Sequence, residues 1–160
     1  HIHTHTHTHT VVQGKLSRLL FIAASMGVES KVRQLVKDGA DVNQGGDSGV
    51  TVGLVHVAVQ NGHEAVMQHL FQDCGADVNR SDDTSARPLY VAAQNGHEAM
   101  VSCLVEEFGA DVRQADDDDI TPLFIAAQSG HEATVRCLVK EGGANVSQAR
   151  EGGNTPLFRP

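Results

Sequence analysis

From Thr121 to Val146 the chain reads TPLFIAAQSGHEATVRCLVKEGGANV. A short apolar run from Leu123 to Ala127 closes on a polar pair and Gly130, and a second run then places Val135, Leu138 and Val139 at helical spacing before Gly143. The pattern predicts two short helices, each stopped by a glycine able to take the left-handed conformation. Pro122 falls where the first helical turn has no N–H partner anyway, so it starts the first helix. Ala126 and Ala127 leave little side chain on that helix and allow a neighbouring helix to come close.

The same pattern recurs upstream. QNGHEA stands at 60–65 and 94–99 and QSGHEA at 128–133, so Gly62, Gly96 and Gly130 follow one another at steps of 34. GADV begins at Gly75 and Gly109, and GANV at Gly143, again in steps of 34. An earlier copy has SMGVES followed by GADVN from Gly39, with Gly27 in the equivalent place, 35 residues before Gly62. Alanine pairs recur at Ala23 and Ala24 and at Ala92 and Ala93, proline recurs at Pro88 and Pro156, and Val101, Leu104 and Val105 repeat the second helix. Such a helix pair cannot bury its apolar faces alone, so neighbours must stack, and stability becomes a sum over adjacent interfaces.

A period near 34 fits both tetratricopeptide and ankyrin repeats, and the residues decide between them. The TPL helix start, the Gly-Ala-Asp turn after the second helix and the lack of large aromatics resemble the ankyrin repeat. The resemblance runs from Ser17 to the C-terminus and implies an all-α ankyrin-repeat solenoid of stacked helix-turn-helix units joined by β-hairpin loops. The units fall at about 17–46, 47–82, 83–116 and 117–150, with a partial one at 151–160. Where the family carries TPLH, this chain has Phe21, Tyr90, Phe124 and Phe158, and only His56 keeps the histidine. The threonine to histidine hydrogen bond that the resemblance implies is therefore mostly replaced by ring packing. The second unit reads TVGLVHVAV from Thr51 without a proline, which makes its first helix the least secure element. In the family the histidine of HEA opens the second helix and makes structural hydrogen bonds.

HIHTHTHTHT at 1–10 lies outside the repeat. Five histidines at every second position would share one face of a strand, yet the segment has no apolar frame to fix a metal tetrahedron. His as CAC and Thr as ACA instead read as a translated CA dinucleotide repeat, and the segment is expected to be a disordered low-complexity tail. Polar caps, which solenoids need, are not evident in the terminal units. These features together predict a fragment of a longer array.

Composition narrows the function. The formal charge is −8 across 160 residues, which disfavours nucleic acid and mildly favours a basic protein partner. No apolar run approaches a membrane span. Cys74, Cys103 and Cys137 are an odd number without framework spacing, which predicts a cytoplasmic or other reducing compartment. No metal or other cofactor, no catalytic residue and no small-molecule substrate is expected, and each tempting motif fails on spacing. The HEA copies lack a second histidine four residues on, since His63 is followed by His69. The run Asp116–Asp119 puts Ile120 and Ala127 where an EF-hand needs oxygen ligands. His69, Cys103 and Cys137 share one repeat position, but helices about 8–10 Å apart hold cysteines beyond disulfide reach, so the column is packing.

A non-enzymatic protein-binding scaffold remains, with a structural spacer or a targeting segment of a larger multidomain protein as the alternative. In the resembling family the hairpin tips and the exposed first-helix positions form the concave binding surface. Here Gln60, Gln94 and Gln128 are identical, whereas the tips diverge: QGGDSGV from Gln44, RSDDTSA from Arg80, QADDDDI from Gln114 and QAREGGN from Gln148. The expected contact residues are Asp82, Asp83, Thr84 and Ala86, then Asp116, Asp117, Asp118 and Ile120 at the tips, and Gln94, Asn95, Gln128 and Ser129 on the helices.

Overall fold

The computed structural model describes residues 2–42, 50–82 and 84–147. Eight helices are present among them: α1 (Ile2–Ser25), α2 (Glu29–Lys37), α3 (Val50–Gln60), α4 (Glu64–Gln72), α5 (Pro88–Asn95), α6 (Glu98–Glu106), α7 (Pro122–Gln128) and α8 (Glu132–Lys140). The chain divides into two compact units, residues 1–76 and 77–160, each holding two helix pairs.

Local chemistry sets each pair. Thr121 precedes α7 in extended conformation, its hydroxyl accepts from the Phe124 N–H at 3.2 Å, and Pro122 supplies a first turn needing no donor. Pro88 does the same for α5, while the residue before it, Arg87, makes no side-chain cap. α3 forms without a proline. At the end of α5, Gly96 is left-handed (φ 70°), and the His97 N–H reaches back to the Ala92 carbonyl at 3.1 Å. The same return bond runs from Val28 to Ala23, His63 to Ala58 and His131 to Ala126.

In the first unit α1 packs on α2 and α3, and α4 packs on α2 and α3. In the second unit α5 and α7 pair, α6 and α8 pair, and each first helix meets its own second helix. The layers close on small and branched side chains. Ala24, Ala58, Val32, Val66, Met67 and Leu70 are fully buried in the first unit, and Ala92, Ala93, Val101, Leu104, Ala126 and Leu138 in the second. Of the second-helix residues expected inside, Val105, Val135 and Val139 are half-buried.

Three expectations differ from the structure. The β-hairpin loops are reduced to turns: no strand occurs among the described residues, although Asp82 still bonds the Ala86 carbonyl and Asp116 the Ile120 carbonyl. Residues 2–10, expected to be a disordered tail, continue α1 toward the N-terminus. Once a helix is held by packing, each further residue adds one backbone bond without a new nucleus, and the Gln13 amide, three residues beyond the segment, ties α1 to the Gly39 carbonyl at 3.0 Å. The first repeat also has more of a polar cap than expected, because α2 exposes Lys31 and Gln34 at positions occupied in α4 by the buried Val66 and His69.

Candidate functional site

The tips of the second unit are built by aspartates acting on their own backbone. Asp82 Oδ1 accepts from the N–H of Thr84 (2.8 Å), the hydroxyl of Thr84 (2.7 Å) and the N–H of Ala86 (3.0 Å). One repeat later Asp116 Oδ1 accepts from the N–H of Asp118 and of Ile120, both at 2.9 Å. Each loop then turns through a left-handed residue, Ser85 (φ 62°) and Asp119 (φ 59°), where glycine would carry no steric cost.

Successive tips are cross-linked. Arg87 Nε donates to the Asn79 carbonyl at 3.0 Å and Nη1 to the Ala115 carbonyl at 3.1 Å. Asn79 Oδ1 accepts from the Asp111 N–H at 3.0 Å, and the Ser85 hydroxyl donates to Asp117 Oδ2. Arg87, whose donor-only guanidinium cannot cap its helix, therefore serves the tips.

Twelve residues were expected at the contact surface, and their settings differ. Thr84, Asp117 and Asp118 are exposed at the tips. Asp82 and Asp116 are half-buried and spend one carboxylate oxygen on the turn. Ala86 is buried and Ile120 half-buried, so these two act as struts and offer little surface. Gln94, Asn95, Gln128 and Ser129 are exposed at the ends of α5 and α7. The Asn95 amide bonds the Val91 carbonyl at 2.8 Å, and the Gln94 carbonyl is taken by His131. Asp83 lies outside the described residues, as do the tips 44–49 and 148–154.

The histidine that opens a second helix joins repeats within each unit. His131 Nε2 bonds the Gln94 carbonyl at 2.9 Å, and His63 Nε2 bonds the Ser25 carbonyl at 2.9 Å. Both rings lie over a glycine of the preceding repeat: a Cβ on Gly96 would come within 2.6 Å of His131 Nδ1, and Gly27 stands likewise under His63. This second duty of the glycines is not visible from a turn rule, although the fixed spacing of G and HE carried the signal.

The cysteine column is packing chemistry. Cys103 and Cys137 are buried, and none of the three cysteines is in a disulfide. Burial, then the bond from Cys137 Sγ to Glu141 Oε2 at 3.1 Å, pushes the Cys137 thiol up to about 12. In α4 the buried His69 ring bonds Asp73 Oδ2 at 2.7 Å, and Arg33 of α2 reaches the same oxygen at 3.0 Å. His69 first, then Arg33, holds the Asp73 carboxyl below its usual range. Among the described residues no three His, Cys, Asp or Glu side chains converge on a metal position, and no helix is long and apolar enough to cross a membrane.

Helix pairs with glycine stops, proline starts and cross-linked tips define a helical-repeat protein. The family model for ankyrin repeats (3 copies) matches residues 89–159, and that for ankyrin repeats (many copies) matches residues 55–105. The chain belongs to the ankyrin-repeat family, whose members are generally non-enzymatic protein-interaction modules. No curated protein matches the chain.

Proposed function

We propose that the chain binds another protein, one with a basic surface, through the hairpin tips and the exposed first-helix ends of its second unit. The observation that carries this reading is the contrast within the tips. Asp82 and Asp116 fix the loops from inside, while Asp117 and Asp118 stand exposed on a backbone already held by Arg87 and Asn79. Preordered loops lose little entropy on binding, so their exposed charges act at small cost. Gln94, Asn95, Gln128 and Ser129 form the neighbouring wall, and three cysteines without a disulfide fit a reducing compartment. Without such a partner the chain is a spacer or a targeting segment of a larger protein.

The test is the association rate of a captured partner with the wild type and with the double variant Asp117→Asn, Asp118→Asn across ionic strength. Exposed rim charges act mainly by steering, screened over about 8 Å at physiological salt. The variant should associate more slowly and with a flatter salt dependence, at unchanged thermal midpoint. Binding that is indifferent to salt and lost on Gln94→Ala or Gln128→Ala would move the site to the helix ends.

A further inference from the structure

α1 carries an apolar stripe that its neighbours leave open. Val12, Leu19 and Met26 follow at steps of seven, the last in the turn after the helix, with Val11 and Ile22 beside them on the same side. Their exposures are 54%, 48% and 67%, then 48% and 51%. The stripe runs about 22 Å at 1.5 Å per residue, enough for four turns of a partner helix. At the repeat position of Leu19, Leu54 in α3 is 1% exposed, and at that of Ile22, Ile125 in α7 is 7% exposed. Leu19 thus stands open at a position buried in every later repeat, Ile22 at one half-buried in α3 and α5, and Met26 at one that elsewhere carries the exposed polar residues Asn61, Asn95 and Ser129.

Charge and the polar face of α2 decide what covers it. A stacked repeat would have to cover α2 as well, and would bury Lys31 and Gln34 where α4 offers Val66 and His69. Lys15 lies inside the stripe, Arg18 on its margin, and Lys31 stands on the adjoining face, while α1 holds no Asp or Glu. A second copy would set these cations against their own kind. Two or three cations on a chain of net charge −8 also fall short of the clusters of four to eight that draw proteins to anionic lipid.

We propose that α1 is a second docking surface, separate from the tips, which takes an acidic amphipathic helix of another protein. Leucines of that helix would pack along Val12, Leu19 and Ile22, and its flanking carboxylates would meet Lys15, Arg18 and Lys31. The mode is an apolar helix face against an apolar helix face, with orientation fixed by rim charge.

The probe is a fluorescein-labelled synthetic helix of about 18 residues, leucine on one face and glutamate on both flanks, with a lysine-for-glutamate version as its counterpart. Anisotropy with the full chain should show saturable binding of the glutamate peptide. Leu19→Asp should weaken it about tenfold or more, and Lys15→Glu with Arg18→Glu should reverse the preference toward the lysine peptide. Both changes lie on exposed positions, so circular dichroism melts should match the wild type. The Asp117→Asn, Asp118→Asn variant should bind the glutamate peptide normally, which separates this surface from the tips. Absence of saturable binding, equal binding of both peptides, a dimer in sedimentation that Leu19→Asp dissolves, or capture by phosphatidylserine vesicles that Leu19→Asp abolishes would each overturn the proposal.

Discussion

Gly96→Ala tests the joint between the third and fourth repeats, and the structure supplies its own control. Gly96 and Gly109 have nearly the same backbone, φ 70° and φ 66°. A side chain held left-handed costs about 1–2 kcal/mol, offset by about 0.4–1 kcal/mol from the stiffer unfolded chain. Gly109→Ala, whose Cβ would meet nothing within 4 Å, should therefore cost about 1 kcal/mol or less. At Gly96 the new Cβ meets His131 Nδ1 at 2.6 Å and Cε1 at 2.8 Å, so the ring must leave. That move gives up the 2.9 Å bond to the Gln94 carbonyl, worth about 0.5–1.5 kcal/mol, and disturbs packing around it. The expected cost of Gly96→Ala is about 1–2.5 kcal/mol before the packing loss is added, clearly above that of Gly109→Ala. Because the chain has no tryptophan, urea unfolding is best followed by far-ultraviolet circular dichroism. Combined with His131→Ala, which removes the ring, Gly96→Ala should cost no more than Gly109→Ala does. Equal costs for the two single glycine changes, or strict additivity with His131→Ala, would refute the argument.

At the tips, Asp119→Gly should raise stability by about 0.5–1 kcal/mol, since glycine occupies φ 59° without strain; Ser85→Gly should gain less, because it also deletes the bond to Asp117. Both are read from urea midpoints. Alkaline titration tests the Cys137 environment: a thiol raised to about 12 in the fold, against about 8.5 unfolded, contributes stability that is whole below about pH 8 and declines as pH rises between those values. Cys137→Val should flatten that part of the profile, and an unchanged slope would show that the thiol is not the titrating group.

The repeat and its helix boundaries were legible because they rest on local chemistry. Pro88, Pro122, Gly96, Gly130 and the alanine pairs each act on their own few residues, and the left-handed Asp119 follows from the same rule. What stayed hidden is where long side chains find their partners. Nothing local says that Arg87 holds the Asn79 and Ala115 carbonyls, 8 and 28 residues away, or that Arg33 reaches Asp73, 40 residues on. The helical course of residues 2–10 also escaped, since an alternating His-Thr pattern has no helical period and is carried by its continuation into Leu16–Ser25. For the contact surface, sequence divergence marked the tips but could not tell the exposed Asp117 from the half-buried Asp116 beside it.

The histidine over glycine works as plug and socket. Gly27 with the Ser25 carbonyl receives His63, and Gly96 with the Gln94 carbonyl receives His131, so the two halves of the joint sit on different repeats about one period apart. A duplication or deletion of one whole period rejoins a socket to a plug, and the turns between them absorb a residue of difference, as the 36 residues from Gly27 to His63 against 35 from Gly96 to His131 show. Growth or shrinkage of the array by complete units therefore keeps the joints paired, whereas loss of half a unit would not. The first repeat departs from the scheme with Val28 at the plug position, so a unit inserted ahead of it would find no histidine to receive.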